Sequence, residues 1–195
     1  MGIFDSIMGR SKPVRPDLDN LFGLPSAAIT LEAAAGFTAS GSGAVAFRPA
    51  EGRAFAEVQQ EVQDLLAAGG GPPIGVTTDE FGYTWLTVRT DPPDVPTLVT
   101  GLHAVNSTLQ DTGFGPSLLC TVVGFLGPRG QRLALVYLFK QGSFYPFVPD
   151  LDAGEHRRDN ITELKVRDLI ADDVAVERDL TRWFALWGAP GLDAD

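Results

Sequence analysis

Between residues 117 and 148 the chain reads SLLCTVVGFL, GPRG, QRLALVYLFK, QGS and FYPFV, three strand-like runs separated by two short turn signals. The first two runs are apolar at successive positions rather than alternate ones, so both faces of each strand must be covered. Such strands belong in the middle of a sheet, and turns this short join only antiparallel neighbours. Every other segment has to fit around that three-strand meander.

The flanking segments supply candidates. DLDNLFGLP predicts a short helix from about Asp17 to Phe22, stopped by Gly23 and Pro25. AAITLEA and GAVAF read as two strands of a hairpin around a Gly/Ser-rich connection. In RAFAEVQQEVQDLLAAGGG, Phe55, Val58, Val62, Leu65 and Leu66 recur at helical spacing, and Gly69 to Gly71 end the segment. IGVTT and YTWLTVRT flank DEFG as a second hairpin, with Tyr83, Trp85 and Thr87 on one face and Leu86 and Val88 on the other. A helix over 95–112 follows, with Asp94 as N-cap, Pro96 in its first turn and Gly113 at its close. Asn160 and Glu163 suggest a capping box before ITELKVRDLIADD, and VERDLTRWFALW predicts a last helix.

Strands mostly follow strands, so the expected fold is α+β: a mostly antiparallel sheet of hairpins and a three-strand meander, with helices packed on it. Residues 1–15 form a basic, apolar tip, and 16–195 a single α+β domain that a faint strand-pair-plus-helix echo would divide into two similar halves packed together.

The net charge of −10 is unevenly placed. The tip holds Arg10, Lys12 and Arg15 against Asp5, a net of +2, which leaves −12 on the rest. An acidic body argues against a nucleic-acid surface, which needs clustered Lys and Arg. One cysteine forms no internal disulfide, and the start MGIFDSIMGRSKP lacks a secretory signal, so the expected location is the cytoplasm. Ile3, Phe4, Ile7 and Met8 make a short apolar arc followed by Arg10 and Lys12, a candidate for peripheral contact with anionic lipid at the inner face of the membrane.

No segment carries a catalytic constellation. His103 and Ser107 stand one helical turn apart, but no carboxylate stands at a spacing that would orient the histidine. Asn106 falls inside the buried arc of Leu98, Val99, Leu102, Val105 and Leu109, where an amide ties a helix to its neighbours. Cys120, among apolar residues, should be a protonated core thiol. GSGAVA at 41–46 matches a loose dinucleotide fingerprint, yet Phe47, Arg48 and Pro49 follow where a helix would have to start, which favours a hairpin turn. The two histidines are far apart and offer no metal-ligand spacing. DLDAGE at 150–155 lacks the remaining ligands of a calcium loop. Neither a cofactor nor a metal is expected.

GIFDSIMGRSKP, LFGLPSAAITLEAAAGF, FGYTWLTV, LHAVNSTLQDTGFGPSLLC, LALVYLFKQGSFYPF and RWFALWGAPG together resemble the PspA-associated protein family PspAB of actinobacteria, in order and over nearly the whole chain. HAVNST, GFGP and FYPF are the most particular of these segments. The resemblance implies a cytoplasmic accessory of the phage-shock envelope-stress system, linked with the membrane-remodelling coiled-coil protein PspA and with the membrane metalloprotease HtpX. It brings no catalytic residues.

The expectation is therefore a non-enzymatic adaptor that binds a partner such as PspA. Leu180, Trp183, Phe184 and Trp187, at i, i+3, i+4 and i+7, are the candidate docking stripe on the last helix. The alternative is a small-ligand protein or an enzyme with a pocket near His103, Asn106 and Tyr145. A concave polar pocket holding all three would favour the alternative, and a flat apolar patch the adaptor.

Overall fold

A computed structural model of the chain describes residues 17–48, 60, 63, 64, 72–151 and 156–192. Its strands are β1 (Thr38–Phe47), β2 (Ile74–Thr78), β3 (Thr84–Arg89), β4 (Leu118–Leu126), β5 (Arg132–Leu138) and β6 (Ser143–Phe147). They form one sheet in the order β2-β3-β1-β4-β5-β6, antiparallel at every pairing. The expected meander is β4, β5 and β6, and the expected second hairpin is β2 and β3. The fold is α+β.

Three helices cover one face: α1 (Leu24–Ala35), α2 (Val95–Leu109) and α3 (Asn160–Leu169). Leu24, Leu31, Leu98, Leu102 and Val105 pack there against Val45, Leu86, Val123, Phe125, Leu135 and Tyr137. The alternation of β3 is as its sequence requires, Leu86 and Val88 toward the helices and Trp85 toward the other layer. Asp94 caps α2 through Thr97 N, at 3.0 Å, and that bond holds its carboxyl below the usual range. At Gly43 a β-carbon would stand 2.7 Å from Leu102 Cδ1, so the glycine sets how closely α2 seats on β1.

Five expectations need correction. AAITLEA is helical, not a strand: Leu24, Ala27 and Leu31 form a buried stripe at helical spacing, and Ala dominates the rest. Pro25 does not stop a helix but opens α1, following a 3₁₀ turn over Leu18–Gly23, and Gly36 at φ 70° ends it. GSGAVA is the interior of β1 rather than a hairpin turn, with the register shifted between Ala39 and Gly43 and with Gly41 at φ 76°. The cap of α3 is Asp159, which accepts from Thr162 N at 3.0 Å, so Asn160 is already helical and Glu163 turns inward. Of the helix expected over 53–71, Gln60, Gln63 and Asp64 are helical, with Gln60 Nε2 donating to Asp64 at 2.9 Å, and the rest lies outside the described residues.

The fifth correction bears on function. VERDLTRWFALW contains a single 3₁₀ turn, Leu180–Arg182, and then runs without regular structure into a turn at Trp187. Side chains from below claim the carbonyls a helix would use: Arg158 Nη1 donates to Trp183 O at 2.6 Å, and the Tyr145 hydroxyl to Phe184 O at 2.9 Å. The segment instead crosses the second face of the sheet, where Trp183, Ala189 and Leu192 pack with Val122, Val136 and Phe147.

Candidate functional site

Among the described residues the second face is only partly covered, and an open cleft of about 720 Å³ lies beside the C-terminal segment. Its floor is one row of laterally paired residues across four strands: Trp85, Ala46, Cys120 and Leu138. The two middle members are small and the outer two large, so the row itself makes a trough. Three strand spacings of about 4.8 Å place the ends of the row roughly 14 Å apart.

Each wall has a local cause. Asp79 Oδ1 accepts from Phe81 N and Tyr83 N, and its Oδ2 accepts from Trp85 Nε1 at 2.9 Å. That carboxylate fixes the β2–β3 turn with Phe81 held 63% exposed at the mouth. Phe184, Ala185 and Leu186 of the C-terminal segment line the cleft, and Phe184 is 60% exposed. No carboxylate lines the cleft among the described residues, whereas Arg48, Lys140 and Arg182 do. Arg182 lies 3.4 Å from both Glu177 and Asp179. Arg48 and Lys140 have no ion-pair partner among the described residues.

The anticipated docking stripe is divided by this geometry. Trp183 is buried, with Nε1 donating to Glu177 O and its ring stacked on Tyr145 at 5.8 Å between centroids. Trp187 is half-buried, edge-on to Phe147 and facing His156. Leu180 is exposed but is not part of the cleft. Only Phe184 of the four both lines the cleft and stands in solvent. The sequence offered no comparable signal for Phe81, which depends on the turn that Asp79 builds.

The pocket expected near His103, Asn106 and Tyr145 is not formed, because the sheet separates them. Tyr145 belongs to the second face, where burial raises its hydroxyl far above the usual range, while His103 and Asn106 are on α2. His103 Nδ1 meets Ser107 Oγ at 3.4 Å, and its Nε2 lies 3.4 Å from Asp19, a carboxylate brought by the 3₁₀ turn rather than by α2. Asp19 is 86% exposed and Phe22 lies against the imidazole, so this chain of contacts lacks the buried orienting acid of a hydrolytic triad. Cys120 is the core thiol expected, pushed up to about 12 by burial.

Asn106 is fully buried, and Nδ2 donates to Leu102 O at 2.8 Å and to Thr121 Oγ1 at 2.9 Å. It ties α2 to β4. Asn106→Ala is expected to lower unfolding free energy by about 1–3 kcal/mol, with His103→Ala and Ser107→Ala costing less, as urea titration of the three variants will measure. The tip residues Ile3, Phe4, Ile7, Met8, Arg10 and Lys12 lie outside the described residues, as does most of 150–155. Among the described residues no group of His, Cys, Asp and Glu could hold a metal, and no helix is long and apolar enough to cross a membrane.

A helix-backed antiparallel sheet with an apolar trough on its other face defines the class of the molecule, an α+β protein with an open concave surface. The family model PspAB, described as PspA associated protein B, matches residues 1–191, and the chain belongs to that family. No curated protein and no solved structure matches it.

Proposed function

We propose that this chain is a non-enzymatic adaptor of the bacterial phage-shock envelope-stress response, and that it binds PspA through the trough on the second face of its sheet. The observation that carries this reading is the trough itself, an apolar cleft with two exposed phenylalanines at its mouth. Asp79 already fixes the backbone at Phe81, so on binding only the ring torsions are left to order, which favours that residue as an anchor. The family description, association with PspA, supports the choice of partner.

Titration of the full-length chain with purified PspA, followed by calorimetry, tests the proposal. Saturable binding is expected, and Phe81→Ala should weaken it by about 30-fold or more, the size of an interface hot spot. No binding, or binding indifferent to Phe81, would sink the reading.

Peripheral membrane contact by the tip is a separate element of the proposal, supported by its apolar arc and its net charge of +2. Full-length chain should pellet with anionic vesicles at low salt more than a chain starting at Pro16. Equal pelleting of the two excludes the tip as a membrane contact.

A further inference from the structure

The trough has both apolar and cationic lining. The C-terminal segment supplies Phe184, Ala185 and Leu186. Arg48 and Lys140 stand two positions beyond the floor residues Ala46 and Leu138, Lys140 beside Gln141, to which Arg182 Nη1 of the C-terminal segment donates at 3.0 Å. Both cations are exposed and unpaired among the described residues, in a chain whose net charge is −10. Where carboxylates outnumber cations 25 to 15, two cations left without partners beside an apolar groove are a local reversal of sign.

From this we infer that the occupant of the trough is an amphipathic helix of a partner protein, with an apolar face on the Trp85–Leu138 row and a flank of Asp or Glu toward Arg48 and Lys140. The inference rests on the adaptor reading and specifies the chemistry of the partner's segment. A floor roughly 14 Å long accommodates about nine or ten helical residues at 1.5 Å each, enough for anchors at i, i+3, i+4 and i+7. The carboxylate flank is selected by sign: a basic flank would meet two cations at the rim, and like charges brought together at an interface oppose binding. Cys120 at the centre of the floor is a neutral, buried thiol, so the floor presents no charge of its own.

A pair of lactam-bridged helical peptides of about 14 residues, identical in their Leu positions but carrying either Glu or Lys on the flanks, tests this directly by fluorescence anisotropy against the full chain. The acidic peptide should bind at least about tenfold tighter than its basic twin. The double variant Arg48→Glu, Lys140→Glu should invert that preference with an unchanged melting temperature, since both residues are exposed. Equal binding of the twins, a preference unmoved by the double variant, or no binding of either overturns the inference. Saturable binding of palmitate with neither peptide bound would assign the trough to a small anionic amphiphile and overturn it as well. PspA bound through Phe81 while the peptides are indifferent to charge refutes the acidic flank alone. An acidic peptide bound and inverted by the double variant, with PspA unbound, supports the flank and removes PspA as the partner.

Discussion

Replacing Arg158 with alanine should lower unfolding free energy by about 3–5 kcal/mol at pH 8, because it strands a buried carboxylate. Glu163 is 2% exposed, and its Oε1 accepts from Arg158 Nε at 2.8 Å and from Val148 N at 2.9 Å. The guanidinium also lies over the Phe147 ring and holds Trp183 O, so one side chain joins α3, β6 and the C-terminal segment. Burial already raises the Glu163 carboxyl above its ordinary value, against the lowering effects of Arg158 and Val148, and loss of Arg158 raises it further. A folded state that holds a proton more tightly than the unfolded chain gains stability as pH falls through the folded pKa. The deficit of Arg158→Ala should therefore be largest above that raised pKa and shrink as pH falls from 8 toward 5. Urea titrations across that range check it, and a deficit independent of pH would mean that Glu163 is not the group left stranded. Replacing both partners, Arg158→Met with Glu163→Leu, should recover most of the loss.

Those parts of the fold that rest on local periodicity were legible in the sequence. The doubly apolar runs of β4 and β5 could only be central strands, and Asp94 and Pro96 marked the start of α2; its end differs from the expected 112, because the α-helix stops at Leu109 and a π turn over Gln110–Phe114, with Gly113 at φ 92°, carries the chain on. The misreadings occurred where distant contacts overrule local pattern. AAITLEA contains β-branched residues beside alanine, and only the burial of Leu24, Ala27 and Leu31 against the sheet decides for a helix. VERDLTRWFALW has helical spacing throughout, yet Arg158 and Tyr145 take the carbonyls of Trp183 and Phe184. The trough was illegible for a related reason: its floor comes from four strands brought into register, and neither Ala46 nor Cys120 is distinctive alone. Arg48 and Lys140, without an ion-pair partner among the described residues, are ordinary surface residues until the cleft they line is known.

Trp183 and Phe184 are neighbours with opposite surroundings, and their alanine variants should separate stability from binding. Trp183 is 8% exposed, its indole donates to Glu177 O, and its ring packs on Tyr145. Trp183→Ala removes a large buried ring and leaves that carbonyl without its donor, so a loss of about 3–5 kcal/mol is expected. Because the same residue holds the C-terminal segment on the sheet, partner binding should fall with it. Phe184 contributes a backbone carbonyl to Tyr145 that alanine would keep, while its ring is 60% exposed at the mouth of the trough. Phe184→Ala should change stability by less than about 0.5 kcal/mol and weaken partner binding by about 30-fold. Thermal unfolding and calorimetric titration on the two variants give four numbers. If Phe184→Ala binds as well as the parent chain, the exposed ring is not an anchor and the docking surface lies elsewhere. If Trp183→Ala keeps full stability, the C-terminal segment is not held on the sheet by that ring, and the trough loses the wall on which its shape depends.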